Sequence, residues 1–292
     1  MLLFYWNGHV PTMPSTAHKY SRTLSVVIPC FNDAELMKSC LHSLTKQTVP
    51  ADEIVVVNNG STDHSAAVAQ SFEAFKVRLV NEPRNGITWA NAAGFNAATS
   101  DVILRIDADV TVDPTFIQRV HEIWEQADLS HQAGERIVVG ISGSGRFAVP
   151  GVKGKLISQL YLGLYRSLVG SALGHYPLFG SNSSIRKQWW DEVHHTLDLS
   201  DTFVHEDMQL SFAVRPHETI WLQKDLVLTM DDRALRGSIQ LLNRLRRGFH
   251  TIIVAWKIQL PHQRLGQRGL LGSRLAQVVR EEGVDKHAFK AF

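Results

Sequence analysis

The sequence predicts an α/β fold whose mainly parallel sheet is covered by helices on both faces. Three observations lead there. The apolar runs of the first half, "LSVVIP", "EIVVVNNG" and "DVILRI", are short, rich in β-branched residues and continuous rather than alternating. That pattern marks strands buried on both sides. Stretches with helical spacing separate them, as crossover connections require. The chain has 292 residues, of which 44% are hydrophobic and 20% charged, enough for one large domain or two closely joined lobes.

Taken in order, "LSVVIP" (24–29) is the first strand and "DAELMKSCLHSLTKQ" the helix after it. "EIVVVNNG" (53–60) is the second strand, followed by a helix from Thr62 to about Phe72. "KVRLV" (76–80) is a short third strand, and a helix over "TWANAAGFNAA" leads into "DVILRI". "RIVVGISGSGRF" (136–147) reads as a strand and a turn. Apolar pairs every four residues through "KGKLISQLYLGLYRSLVGSAL" (153–173) predict an amphipathic helix. A helical segment from Leu235 onward breaks near Pro261.

Composition excludes some classes. Cys30 and Cys40 form neither a disulfide framework nor a metal-ligand spacing, which predicts reduced thiols and a cytosolic setting. The opening "MLLFYWNGHVPTMP" lacks a basic region and a small-residue cleavage site, so residues 1–22 are read as a tail rather than a secretory signal. No stretch has the length and apolarity of a spanning helix. Net charge is +2, yet Arg233 to Arg280 holds ten basic residues and no acid. Such an end points to an anionic partner: a pyrophosphate, a membrane surface or a nucleic acid. A solvated helical face is the plain alternative. Without interleaved stacking aromatics, nucleic acid is not expected.

In mainly parallel sheets ligands sit beyond the carboxyl ends of the strands. Asn32-Asp33, Asn58-Asn59 and Asp107/Asp109 all fall there. Two carboxylates closing a buried strand are costly unless something cationic joins them. Oxygen ligands suit Mg²⁺ or Mn²⁺, which one or two carboxylates and substrate phosphates commonly hold. Asp107 and Asp109 are therefore the candidate metal ligands. Asp113, before Pro114, fits a turn cap better.

Six segments in order, "SVVIPCFND", "EIVVVNNGSTDHS", "NEPRNGITWANAAGFNAA", "DVILRIDADV", "LFGSNSSIRKQWWDEV" and "VHEDMQLSFAV", resemble the family 2 glycosyltransferases across roughly residues 24 to 250. The resemblance implies a GT-A fold and inverting transfer of a sugar from a nucleotide-diphosphate sugar to an acceptor hydroxyl. Asp207 matches the family's base, with Glu206 beside it. Pro29, Phe31 and Asn32 resemble the loop along the nucleoside. Asn58 and Asn59 stand where relatives often carry carboxylates, which weakens the argument for uridine. Gly60, Ser61 and Asp63 fit the following turn. Arg84 resembles a position near the donor phosphates, and Asp107 would face them too. Gly180 would permit close approach. Asn182 and Arg186 would contact donor sugar or acceptor, and Trp189 and Trp190 would stack on a sugar or pack in the interior.

Relatives that polymerise often end in Gln-x-x-Arg-Trp, whereas "NRLRRG" places Asn243, Arg246 and Arg247 there. Single additions are expected, with Arg246 neutralising the diphosphate. Asp231 or Asp232 occupies a place where relatives sometimes have a further metal ligand. His194, His195 and His205 have no spacing for zinc. The implied division is a tail over 1–22, a glycosyltransferase domain over 23–232 and a basic helical extension over 233–292. Within the domain, 23–130 is the nucleotide-sugar half and 131–232 the acceptor half. A glycan or lipid-linked acceptor, an anionic membrane partner and a cytoplasmic location, peripheral on the inner face of the plasma membrane, complete the expectation. A catalytically silent nucleotide-sugar-binding or membrane-scaffold relative is the alternative. A nucleotidyltransferase or dinucleotide oxidoreductase would need a glycine-rich loop after the first strand, and "IPCFNDAEL" has none.

Overall fold

The computed structural model describes residues 20–149, 163, 166, 167, 169–235 and 238–270. Its strands are β1 (Leu24–Cys30), β2 (Glu53–Asn58), β3 (Val77–Asn81), β4 (Val102–Ile106), β5 (Val110–Thr111), β6 (Ile137–Phe147), β7 (Asn182–Arg186) and β8 (Glu218–Met230). They form one sheet in the order β3-β2-β1-β4-β7-β6-β8-β5. β1 pairs in parallel with β2 and β4, β2 with β3, and β6 with β8. β7 runs antiparallel to β4 and β6, and β5 antiparallel to β8.

Burial explains the continuous runs. Every residue of β1 and β4 is buried. Alternate side chains enter opposite layers, as the strand period of two dictates. Val26, Ile28, Leu104 and Ile106 join a core with Met37 and Leu41 of α1 (Ala34–Leu44) and Ile117 and Trp124 of α4 (Phe116–Gln132). α2 (Ser65–Gln70) adds Ala69 to that layer. Val27, Val55 and Ile103 point the other way, to Phe95 of α3 (Ile87–Ala97) and the two tryptophans of α5 (Lys187–Val193). α3 lies so close to the sheet that a Cβ at Gly94 would come within 2.4 Å of Val27.

Three boundaries differ from the sequence expectation. α2 begins at Ser65 rather than Thr62, because Asn32 Oδ1 accepts the Thr62 and Asp63 amides and Asp63 Oδ1 accepts that of Ser65. These side-chain bonds hold 61–64 as a loop. "GISGSG" is not a turn but the middle of β6, where the ladder with β8 shifts register between Val138/Gly140 and Ser142/Ser144. Within the expected tail, Tyr20 stacks on His121 and Arg22 pairs with Asp128, while residues 1–19 lie outside the described residues.

Most of the helix expected over 153–173 also lies outside them, although 169–173 are helical. α6 (Glu206–Phe212) precedes β8. The chain then enters α7 (Ser238–Ile258) and, after the break expected near Pro261, α8 (Pro261–Gln267). Two cations of the basic segment are interior clamps. Arg264 donates to the carbonyls of Leu173, Phe212 and Val214, and Arg268 to those of Gly174, Arg215 and Glu218. No described helix is long and apolar enough to cross a membrane.

Candidate active site

The carboxyl ends of β1, β2 and β4 meet at one rim. After β1, Phe31 is 58% exposed and Asn32 adopts φ 53°, a left-handed conformation that Asn tolerates. Pro29, Phe31, Asn59, Asn85, Gly86 and Ile87 line an open cleft of about 370 Å³, large enough for a nucleoside-sized group.

The two amides after β2 have internal work. Asn58 donates to Asn81 Oδ1 at 3.0 Å and accepts the Ser61 amide at 3.0 Å. Asn59, buried, donates to the carbonyls of Glu82 and Arg84 and accepts the Gly86 amide at 2.9 Å. Asn59 thus shapes the cleft wall by clamping residues 82–86. Arg84 makes a two-point contact with Glu82 and lies 3.8 Å over the Trp89 ring. That pairing keeps the Glu82 carboxyl below its ordinary range.

At the end of β4, Asp107 Oδ1 lies 2.8 Å from the Arg105 guanidinium. Asp109 Oδ2 lies 3.3 Å from Arg233, which also makes a two-point contact with Asp33 and bonds Asp231 at 3.1 Å. Burial, then the neighbouring Asp107 charge, pushes the Asp109 carboxyl up to about 6, with Arg233 opposing. Asp232 opens a short 3-10 turn. Among the described residues, no three or more His, Cys, Asp or Glu side chains are set to hold a metal by themselves. Two hard carboxylates on a strand end, one of them short of positive charge, fit a divalent ion whose other ligands come from a diphosphate. Arg233 marks the same place as cationic.

Asp207 opens α6. Its Oδ2 accepts the Gly180 amide at 2.9 Å and its Oδ1 the Met208 amide at 2.8 Å, which fixes the carboxylate's direction. A Cβ on Gly180 would lie 3.0 Å from Arg105 Nη1 and 3.1 Å from Asp207 Oδ2, so a side chain there would crowd both charged groups. The loop ahead of α6 is pinned from α7. Arg247 donates to the carbonyls of Phe203 and Val204, and Thr251 Oγ1 accepts the His205 amide.

Sequence reasoning missed Arg105. It is buried, with Asp107 at 2.8 Å, Glu206 at 3.6 Å and Asn91 Oδ1 at 3.4 Å. Burial disfavours its charge. The fields of Asp107, Glu206, Asp207 and Asp109, in that order, outweigh this and raise its pKa. Glu206 is pushed up by burial and then by Asp207, with Arg105 opposing. One guanidinium therefore lies within electrostatic reach of both the β4 pair and the α6 pair, beside a narrow depression lined by Arg105, Gly180, Glu206 and Asp207. The available signal was a single charge inside the apolar run "DVILRI". Arg233 was counted only as part of a basic segment, although it directly follows Asp231-Asp232.

Several expected contacts are placed elsewhere. Asn182 is fully buried, its amide donating to the carbonyls of Ser144 and Leu226, so it braces β6 and β8 rather than lining the site. Arg186 bonds Asp128 and the Val138 carbonyl, away from the rim. Trp189 and Trp190 are buried and donate to Glu218 and Asn96, so both are packing residues. Arg246 is exposed on α7, and Asn243 belongs to the same helix.

Known proteins resemble this chain in part of the sequence and in fold. Residues 25–166 match the family described as Glycosyl transferase family 2. The uncharacterized glycosyltransferase YibD of Escherichia coli (strain K12) is 35% identical over 108 residues, covering 36% of this chain and 31% of YibD. The aligned stretch thus spans about a third of that relative's length. The putative glycosyltransferase EpsH of Bacillus subtilis (strain 168) is 24% identical over 254 residues, covering 79% of this chain and 74% of EpsH. The mannosyltransferase PcManGT of Pyrobaculum calidifontis, solved with GDP-Man and Mn²⁺, superposes with a TM-score of 0.55 at 16% identity, over 92% of this chain and 83% of that one. The fold is of the GT-A type, and residues 25–166 are similar to the family 2 glycosyltransferases.

Proposed function

We propose that this chain, as a family 2 glycosyltransferase, moves a sugar from a nucleoside-diphosphate sugar to an acceptor hydroxyl with inversion and with help from a divalent metal. One observation carries the reading. Arg105 pairs with Asp107 at the strand end and lies 3.6 Å from Glu206 at the helix start, so that the carboxylate pairs 107/109 and 206/207 share one rim.

The nucleoside occupies the cleft between Pro29, Phe31 and Asn59, whose wall Asn59 fixes through residues 82–86. Asp107 and Asp109 would hold Mg²⁺ or Mn²⁺, which when bound would supply Lewis-acid stabilisation of the departing diphosphate. Asn58 and Asn32 shape the loop beneath the nucleoside. Asp207 takes the proton of the acceptor hydroxyl as the oxygen attacks the anomeric carbon from the side opposite the leaving group. The amides of Gly180 and Met208 aim that carboxylate, and Arg105 keeps Glu206 and Asp207 from repelling each other out of position. Asn243, Arg246 and Arg247 replace the acceptor-bracing motif of polymerising relatives. Arg247 stands in place of that motif's tryptophan and is engaged with the Phe203 and Val204 carbonyls; the missing tryptophan favours single additions to a glycan or lipid-linked acceptor.

The test is a panel of nucleotide sugars assayed for turnover with and without Mn²⁺, alongside Asp207→Asn. Nucleoside-diphosphate binding should survive in the variant while transfer falls by roughly 10²–10⁴-fold, the usual span for loss of a general base. Wild-type turnover in Asp207→Asn would refute the base. A second reading, a non-catalytic nucleotide-sugar-binding scaffold, is favoured by the way Arg233 spans Asp33, Asp109 and Asp231. It predicts diphosphate binding that calorimetry finds indifferent to metal, and no turnover with any donor.

A further inference from the structure

We infer that the outer face of α7 is a docking surface for an anionic lipid bilayer. Nine large hydrophobic side chains are exposed among the described residues, and five of them fall between 249 and 260: Phe249 (67%), Ile253 (55%), Trp256 (41%), Ile258 (82%) and Leu260 (41%). Spacings of four and three residues put Phe249, Ile253 and Trp256 along one face of α7, and Leu260 follows just beyond the helix end. Thr251 and Ala255, on the opposite face, are buried, so the stripe points away from the protein. Phe203, also exposed, extends the patch through its edge contact with the His250 ring at 5.4 Å.

Charge selects the occupant. Arg246 and Lys257 are exposed on the flank of the stripe, and no Asp or Glu occurs from Arg233 to Arg280. The nearby carboxylate of Asp201 is bonded to His250. An apolar patch flanked by Arg246 and Lys257, with the nearby Asp201 carboxylate engaged by His250, suits a surface that is apolar within and negative at its boundary, which describes the headgroup region of an anionic leaflet. Tryptophan and phenylalanine with arginine and lysine are the residues that settle at that depth.

The patch is tied to the candidate base. Thr251 and Arg247 of α7 hold His205, Phe203 and Val204, the residues just before Glu206 and Asp207. A bilayer against α7 would therefore lie beside the acceptor end of the site, where a lipid-linked hydroxyl can enter. Docking itself does not depend on sugar transfer. Only this acceptor consequence rests on the proposed function.

Co-sedimentation of the full chain tests the inference, using vesicles of phosphatidylcholine alone and of phosphatidylcholine with an equal share of phosphatidylglycerol. Binding should require the anionic lipid, weaken with salt, and drop roughly tenfold or more in Phe249→Ser/Trp256→Ser and several-fold in Lys257→Glu. These exposed positions should leave the melting temperature unchanged, so loss of binding is not loss of fold. Donor hydrolysis in detergent-free buffer, measured in parallel, separates failure of docking from failure of the activity. Equal binding by the variants, or no binding to anionic vesicles, overturns the inference. So does light scattering that shows Phe249→Ser/Trp256→Ser splitting an oligomer while vesicle binding is untouched, because the face would then join two copies of the chain.

Discussion

Asp109→Asn should make the metal-free protein more stable at neutral pH and leave it unimproved in acid. The folded-state carboxyl of Asp109 is raised to about 6, whereas an unfolded Asp titrates near ~3.9. Between those values the unfolded chain has released a proton that the folded chain still holds. Stability therefore falls as pH rises from about 4 to about 6 and stays low above that. The gap of about two pH units corresponds to about 3 kcal/mol. Asn carries no such penalty, and the attraction of Arg233, whose side chain is 46% exposed, already enters the value of about 6. The net expectation is about 3 kcal/mol in favour of the variant at neutral pH, or a rise of roughly 5 °C in melting temperature for a chain of this size. Thermal melts across pH 4 to 8 without divalent ions read the difference directly. Mn²⁺ with a nucleoside diphosphate should then raise the wild type more than the variant. A difference independent of pH, or a variant less stable at neutral pH, would refute the picture of Asp109 as a carboxylate awaiting a cation.

Arg105→Met strands Asp107, Glu206 and Asp207 without their shared cation and should cost about 3–5 kcal/mol in urea unfolding, with Arg105→Lys recovering part of it. Adding Glu206→Gln to Arg105→Met should recover stability but not turnover if Arg105 also positions Asp107. Arg264→Met leaves the carbonyls of Leu173, Phe212 and Val214 without their donor and should lower stability by about 3 kcal/mol or more, measured the same way. Gly94→Ala drives a methyl to 2.4 Å from Val27 and 2.9 Å from Val57, and should cost roughly 1–3 kcal/mol by overpacking the contact between α3 and the sheet.

What the sequence by itself determined was what depends on neighbours along the chain. A strand buried on both faces must be apolar at every position, so "LSVVIP" and "DVILRI" announced β1 and β4. An apolar period of about 3.6 announced α1, α3 and α7. Because ligands of such sheets sit at strand ends, the rim that gathers Pro29, Asn58, Asp107 and Asp109 was also legible. Tertiary structure alone decided which polar side chains face that rim. Asn182 and Arg186, close in sequence to Gly180, turn towards carbonyls and a carboxylate across the sheet, while Gly180 itself meets Asp207. Arg105 and Arg233 take part because carboxylates 101 and 124 residues away along the chain surround them. The division of the basic segment into interior clamps, Arg264 and Arg268, and an exposed cationic apolar face on α7 followed the same cause. A polar group's direction is set by whichever partner offsets its desolvation, and that partner is chosen by the packing of distant segments.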